Sequence, residues 1–265
     1  MAMLVQATLV EKACRRPVMS GIQDFFSAGG IAGAGCMAFL LSRGVSPLNA
    51  SFTIIGFIAL LFTLYSPKFL RHGGDTGPVF AIPHGNIVFL GLIGCVIYLV
   101  EGMMLDWSAI ALSSLHRVPR DQAGIGYMVF ACAMVVGRLS GDKLVQILGQ
   151  GNLLKVSIIL TSIGLILLGY TSSVFFGFLS LLVIGAGASN IVPVILRAAG
   201  GSNIMPPGLA IAAIATLGYL GVLGGPGIIG YIAGMAGLKV AITLIAIFVF
   251  GLLFFARTVE KIVTH

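Results

Sequence analysis

The sequence is dominated by long apolar stretches with almost no charged residues. A transmembrane α-helix needs about 20 consecutive apolar residues, and the chain offers this length repeatedly between short polar connections. The uncharged stretch from Val156 to Leu196 exceeds one crossing and divides naturally at Gly169–Ser173. The sequence therefore predicts an all-α membrane protein with about eight transmembrane helices, at residues 24–42, 48–66, 87–111, 122–140, 154–171, 174–196, 208–231 and 240–257.

The amino-acid composition also indicates a membrane protein. Only 9% of the 265 residues are charged, whereas soluble domains carry about 25%. Lys and Arg collect on the cytoplasmic side of membrane proteins. With the N-terminus inside, eleven of the fifteen basic residues are cytoplasmic, and the other four are Arg43, Arg117, Arg120 and Lys239. This bias predicts that both termini lie in the cytoplasm.

The charged and metal-binding residues lack the grouping that other protein classes need. The net charge of +7 comes from basic residues scattered between apolar stretches, so we expect no nucleic-acid partner. The four cysteines have no metal-ligand spacing, and neither an HExxH motif nor a Ser/His/Asp set stands out. The histidines fall in predicted loops or at the end of the chain. We therefore expect no metal, no cofactor and no enzymatic activity.

The longest polar connection, residues 67–86, divides the chain unequally. Two predicted crossings precede it and six follow, and its glycines and prolines suggest a hinge. We predict a first membrane domain at residues 1–72, a cytoplasmic inter-domain loop at 73–86 and a six-helix domain at 87–265. Residues 1–10 are apolar but too short to cross, which predicts the last turns of another helix.

Two carboxylates, Glu101 and Asp106, interrupt the third apolar stretch beside the only tryptophan, Trp107. An acid at the centre of a spanning helix costs about 2.5–3.5 kcal/mol, so Glu101 should face water or a partner. It either lines a solute pathway or forms a carboxyl contact with a neighbouring helix. Asp106 either lines that pathway or meets Arg117 or Arg120 near the outer surface. Trp107 either stacks on a sugar ring or anchors the membrane interface.

Two amides are further candidates for contact with a solute. Asn190 lies deep in the sixth crossing, three residues before Pro193. It either binds solute hydroxyls or satisfies a carbonyl that the proline frees. Gln23 stands beside Asp24 at the start of the first predicted helix, where it either contacts solute or helps to cap the helix.

Two other groups point to helix packing and to a conformational role. Closely spaced small residues let membrane helices approach one another, and such a set consists of Gly221, Gly225, Pro226 and Gly230. Asp142 stands four residues after Arg138, so the two can pair on one face of a helix.

Several segments resemble the major facilitator superfamily. GRLSGDKLVQILGQGNLLK (137–155) is similar to its cytoplasmic loop signature, and GYLGVLGGPGIIG (218–230) resembles its glycine–proline helix signature. EGMMLDWSAIAL and GAGASNIVPVILRAAG look like the fucose-permease-like branch of bacterial inner-membrane transporters. The loop signature is carried here by Gly137, Arg138, Gly141, Asp142 and Lys143.

The resemblance implies a helical bundle of two six-helix domains, of which this chain matches the end of the fourth helix through the twelfth. Residues 1–72 would then be a remnant of the N-terminal transporter domain. The implied function is secondary active transport of a small polar, sugar-like solute across a bacterial inner membrane, by rocking of two helical domains. Protons are a candidate coupling ion, and Asp142 would close the cytoplasmic side.

The alternative is a truncated, transport-inactive chain. Such a chain would need a complementary N-terminal part, or its gene start would be misassigned. Lipid and a small solute are the expected partners of the transporter.

Overall fold

The structure is a computed structural model that describes residues 19–68, 83–200 and 205–256. All regular secondary structure in these ranges is helical. A short 3-10 turn, Ser66–Lys68, follows the second helix, and a final helical turn at 253–256 follows the last one. The helices are α1 (Met19–Ser42), α2 (Pro47–Tyr65), α3 (Ile87–Leu115), α4 (Ile125–Leu148), α5 (Gln150–Tyr170), α6 (Val174–Ala188), α7 (Ile191–Gly200), α8 (Pro207–Ala236) and α9 (Leu238–Gly251).

Each predicted crossing coincides with helix, which confirms an all-helical membrane fold. Helices α6 and α7 together form the sixth crossing and are separated by a turn at Ser189 and Asn190. The predicted crossings 24–42 and 122–140 fall in α1 and α4, which are not among the helices that meet both length and apolarity criteria. Six spans of the described chain do meet them: Pro47–Tyr65, Ile87–Leu115, Gln150–Tyr170, Val174–Gly200, Gly208–Ala236 and Leu238–Ala256.

The chain divides into two compact units, Met1–Gly77 and Pro78–His265. In the first unit α1 and α2 pack against each other across a short turn. Ser46 begins α2 because its hydroxyl accepts a hydrogen bond from the Asn49 backbone N–H at 3.4 Å, and Pro47 suits the first helical position. Most of the predicted inter-domain loop and residues 1–10 lie outside the described residues, so those predictions stay predictions.

Helix α3 is the central element of the second unit. It contacts every other described helix of that unit, and most extensively α8. Large side chains along its length are fully buried, among them Ile93, Ile97, Met103 and Leu112. Its 29 residues extend about 43 Å at 1.5 Å per residue, so the middle of α3 lies near the middle of the bundle.

The close approach of α3 and α8 depends on the predicted glycine set. A Cβ at Gly221 would overlap the backbone carbonyl of Cys95 in α3. A Cβ at Gly225 would lie 2.9 Å from Leu99 Cγ, and one at Gly230 would lie 3.2 Å from Trp107 Cζ2. Side chains at these positions would hold the two helices apart.

Pro226 lies inside α8 and removes one backbone donor. The carbonyl of Val222, four residues earlier, therefore lacks its usual helical donor. This oxygen faces Gly102 of α3, where an added Cβ would be only 3.1 Å away. The glycine gives the carbonyl room directly beside Glu101.

His116 forms a second link between helices. It follows the end of α3 and is fully buried. Its Nδ1 lies 3.1 Å from the carbonyl oxygen of Ser173, and its Nε2 lies 2.9 Å from that of Leu168. The ring thus joins the end of α3 to the α5–α6 turn. The sequence placed His116 in a loop and gave no sign of its burial.

Candidate solute site in the second unit

An ion pair joins the midpoint of α3 to α4. Glu101 stands at the midpoint of α3, with fourteen residues on either side. Arg138 Nη2 of α4 lies 3.3 Å from Glu101 Oε1, and the two side chains are 13% and 20% exposed respectively. The acid that was expected to need water or a partner therefore has a partner, and the pair is slightly open to the surface.

The residues that resemble the loop signature lie within a helix that extends beyond the predicted crossing 122–140. All five of its residues fall within α4, which continues to Leu148. No helix breaker precedes Gly149, whose φ of 75° is readily adopted by glycine and ends the helix. That single residue separates α4 from α5. Arg138 contacts Glu101 of the neighbouring helix α3.

Asp142 pairs with Arg197 of α7, not with Arg138 as predicted. Arg138 is four residues away on the same helix, but its guanidinium is directed to Glu101. Asp142, Lys143 and Arg197 are exposed. An exposed ion pair contributes only about 0–1 kcal/mol, so this contact can form and break at little cost.

Asn190 serves as a connection between helices. Its side chain is 4% exposed, and its Nδ2 donates to the Gly137 carbonyl of α4 at 3.0 Å. A Cβ at Gly137 would lie 2.7 Å from Ser189 Cβ, and a Cβ at Gly141 would overlap Asn190 Oδ1. Because Gly137 and Gly141 carry no side chains, the turn between α6 and α7 can pack directly against α4.

Replacing Asn190 with Asp is expected to lower the free energy of unfolding by about 1–3 kcal/mol, because a carboxylate cannot donate a hydrogen bond to the Gly137 carbonyl. Thermal unfolding in detergent, followed by circular dichroism, measures the change. Asn152→Asp is the matched control: Asn152 is exposed in the first turn of α5, where a negative charge is favourable. Equal unfolding temperatures for the two variants would contradict the role assigned to Asn190.

Two stacked tyrosines lie on α3 and α8, one of them three residues before Glu101. The rings of Tyr98 in α3 and Tyr219 in α8 stack with centroids 6.4 Å apart and an interplanar angle of 23°. Tyr127 of α4 packs against Phe130 of the same helix, with ring centroids 6.2 Å apart. None of these tyrosines was predicted from the sequence as a site residue. The spacing of Tyr98 and Glu101, three residues apart on one helix, was the available signal for one of them.

The remaining candidates lie elsewhere. Asp106 is exposed on α3, and the two described ion pairs do not include it. Trp107 is half-buried and faces Gly230 of α8. Gln23 lies in α1, but its side chain is outside the described residues. Within the described ranges, no group of three or more His, Cys, Asp or Glu residues is placed to hold a metal ion.

The site therefore combines one carboxylate and one guanidinium with the stacked phenols of Tyr98 on α3 and Tyr219 on α8. Carboxylate oxygens accept hydrogen bonds, guanidinium groups donate them, and phenols do both. Such a set can bind a small polar molecule with several hydroxyl groups, and the aromatic rings offer flat faces to its carbon skeleton.

Comparison with known proteins agrees with a transporter, although no family model matches the chain. An uncharacterized MFS-type transporter of Yersinia pestis is 41% identical over 215 residues, which are 80% of this chain and 56% of the relative. An uncharacterized transporter of Sinorhizobium fredii is 30% identical over 78% of this chain and 56% of its own length. The membrane protein MosC of Rhizobium meliloti is 26% identical over 66% of this chain and 44% of its own length.

The chain thus spans about half the length of the curated relatives it matches. Its multi-pass helical fold and its similarity to MFS-type proteins together support an MFS-like membrane transporter.

Proposed function

We propose that the protein is a secondary transporter of a small polar, sugar-like solute, of the fucose-permease-like kind. The observation that supports this most is the Glu101–Arg138 pair, held at the middle of a bundle of membrane-spanning helices. Charged groups at that depth are costly and commonly mark a solute or ion pathway. In this proposal the protein lies in a bacterial inner membrane with both termini in the cytoplasm.

The proposed mechanism is alternating access by rocking of two helical domains, coupled to protons through Glu101. A carboxyl group that faces a partly open site can take up and release a proton as the site changes sides. The exposed Asp142–Arg197 pair would belong to the cytoplasmic gate, because its low stability suits a contact that opens in every cycle.

The second candidate function is a transport-inactive part that needs a complementary N-terminal half. This candidate is supported by the finding that the chain matches only 56% of the Yersinia relative. In that case the second unit still carries the solute site, but movement of solute requires a complementary part.

Uptake into proteoliposomes tests both candidates. The full chain is reconstituted alone, or with the part of the Yersinia relative that it does not match, and radiolabelled sugars and sugar derivatives are offered under an imposed proton gradient. Uptake by the chain alone supports the first candidate, and uptake only with the added part supports the second. Glu101→Gln should reduce proton-driven uptake, whereas Asp121→Asn, at an exposed acid outside the site, should not. Absence of uptake in both arrangements contradicts both candidates.

A further inference from the structure

His116 contacts two backbone carbonyl oxygens, one through each ring nitrogen. Nδ1 lies 3.1 Å from the Ser173 oxygen, and Nε2 lies 2.9 Å from the Leu168 oxygen. A neutral imidazole has one N–H donor, whereas the protonated ring has two. The neutral ring can therefore donate to only one carbonyl, and its other nitrogen then faces an oxygen with no proton between them. Only the protonated ring satisfies both contacts.

The two carbonyls differ in their other contacts. Leu168 lies in the last turn of α5, where a carbonyl lacks a donor from its own helix. The His116 ring supplies that donor, and a positive charge is favoured at the end of a helix. The Ser173 carbonyl also accepts a hydrogen bond from the Gly177 N–H at 2.9 Å. A ring with a single N–H should thus keep it on Leu168 and lose the contact with Ser173.

The surroundings of the ring are apolar or uncharged. Helix α6 packs against it at Gly177, where an added Cβ would lie 2.8 Å from His116 Cγ, and α6 contains no titratable side chain. Titratable side chains in the last third of α3, in the α3–α4 connection, at the end of α5 and at the start of α9 are exposed, namely Asp106, Arg117, Arg120, Asp121, Tyr170 and Lys239. The two polar contacts of the ring are with uncharged carbonyls, so the number of its protons decides how many of them are hydrogen bonds.

We propose that His116 is a proton-sensitive link between the end of α3 and the α5–α6 turn. With both ring nitrogens protonated, the link holds Leu168 and Ser173 together. With one proton, it keeps Leu168 and releases Ser173, which loosens the start of α6. In the proposed orientation the end of α3 lies on the outer side of the membrane, so the link responds to the pH of the outer solution.

Nitrogen-15 NMR of the full chain in detergent tests the protonation states. The chain has four histidines, and replacing His72, His84 and His265 with Asn leaves His116 as the only labelled ring. In acidic buffer we expect both nitrogens of His116 to be protonated. In alkaline buffer we expect the proton to remain on Nε2 and to be absent from Nδ1.

Hydrogen exchange of the backbone amides tests the structural consequence. After correction for the intrinsic effect of pH, peptides covering residues 168–177 should exchange at least about fivefold faster in alkaline than in acidic buffer, because one hydrogen bond is lost. Peptides from α9 should show no such difference. His116→Gln should exchange at the faster rate in both buffers, whereas His84→Gln, at an exposed histidine, should keep the pH response.

Three results would overturn the proposal. The first is a ring that stays singly protonated down to the pH at which the chain unfolds. The second is a neutral ring with its proton on Nδ1. The third is a pH response of residues 168–177 that persists in His116→Gln. If that variant does not fold, NMR of the chain that retains His116 still decides, and neither measurement depends on transport.

Discussion

Replacing Glu101 with Gln, or Arg138 with Gln, is expected to lower the unfolding free energy of the protein by about 2–3 kcal/mol each. Removing one partner of a fully buried ion pair costs about 3–5 kcal/mol, and the exposures of 13% and 20% place this pair somewhat below that range. Titration with a denaturing detergent, followed by circular dichroism, measures the loss.

The double variant shows whether the two residues act on each other. Because each single change already removes the pair, Glu101→Gln with Arg138→Gln should cost less than the sum of the two, with a coupling of about 0.5–3 kcal/mol. The exposed Asp142–Arg197 pair, whose acid lies on α4 like Arg138, supplies the matched control. Asp142→Asn should change the free energy of unfolding by no more than about 1 kcal/mol. Additive losses in the double variant would mean that the contact in the structure carries no energy.

The second large effect is expected at Gly221. A valine there would press on backbone atoms, the Cys95 carbonyl carbon at 3.0 Å from the new Cβ and the Leu99 nitrogen at 3.1 Å. Backbone atoms cannot make room by a change of rotamer, as a side chain can, so α3 and α8 must separate. Overpacking costs typically about 1–3 kcal/mol, and we expect Gly221→Val to reach the upper end of that range.

Gly227→Val is the control for this substitution. It lies in the same helix, and nothing within 4 Å would meet its Cβ. Since glycine is a poor helix former, this variant should be as stable as the unmodified protein or slightly more so. Both variants are compared by thermal unfolding in detergent. A similar loss for both would indicate that helix propensity, not the contact with α3, decides the result.

Much of the fold was predictable from the sequence, because each membrane-spanning helix requires a long apolar stretch that is visible in the local sequence. The apolar length requirement located every helix of the crossings, including the division near Gly169–Ser173 between α5 and α6. The same requirement predicted the ends of the helices less accurately. The second half of α4 is charged, which hid the fact that the helix continues to Leu148.

The site was only half predictable, for a physical reason. The cost of a carboxylate in an apolar helix required a partner for Glu101, and that requirement is visible in one stretch of sequence. The identity of the partner is not, because Arg138 is 37 residues away and reaches Glu101 only once α3 and α4 pack. The hydrogen bond of Asn190 to Gly137 and the burial of His116 likewise depend on tertiary contacts.

One short segment of α4 has consequences for how the second unit can move. Within Gly137–Asp142 the helix is attached to α3 through Arg138, to the α6–α7 turn through its glycines, and to α7 through Asp142. Sliding α4 alone would break the contacts to α3 and to the α6–α7 turn together, whereas the exposed Asp142–Arg197 contact opens at little cost. A displacement of α4 therefore carries α3 and the α6–α7 turn along.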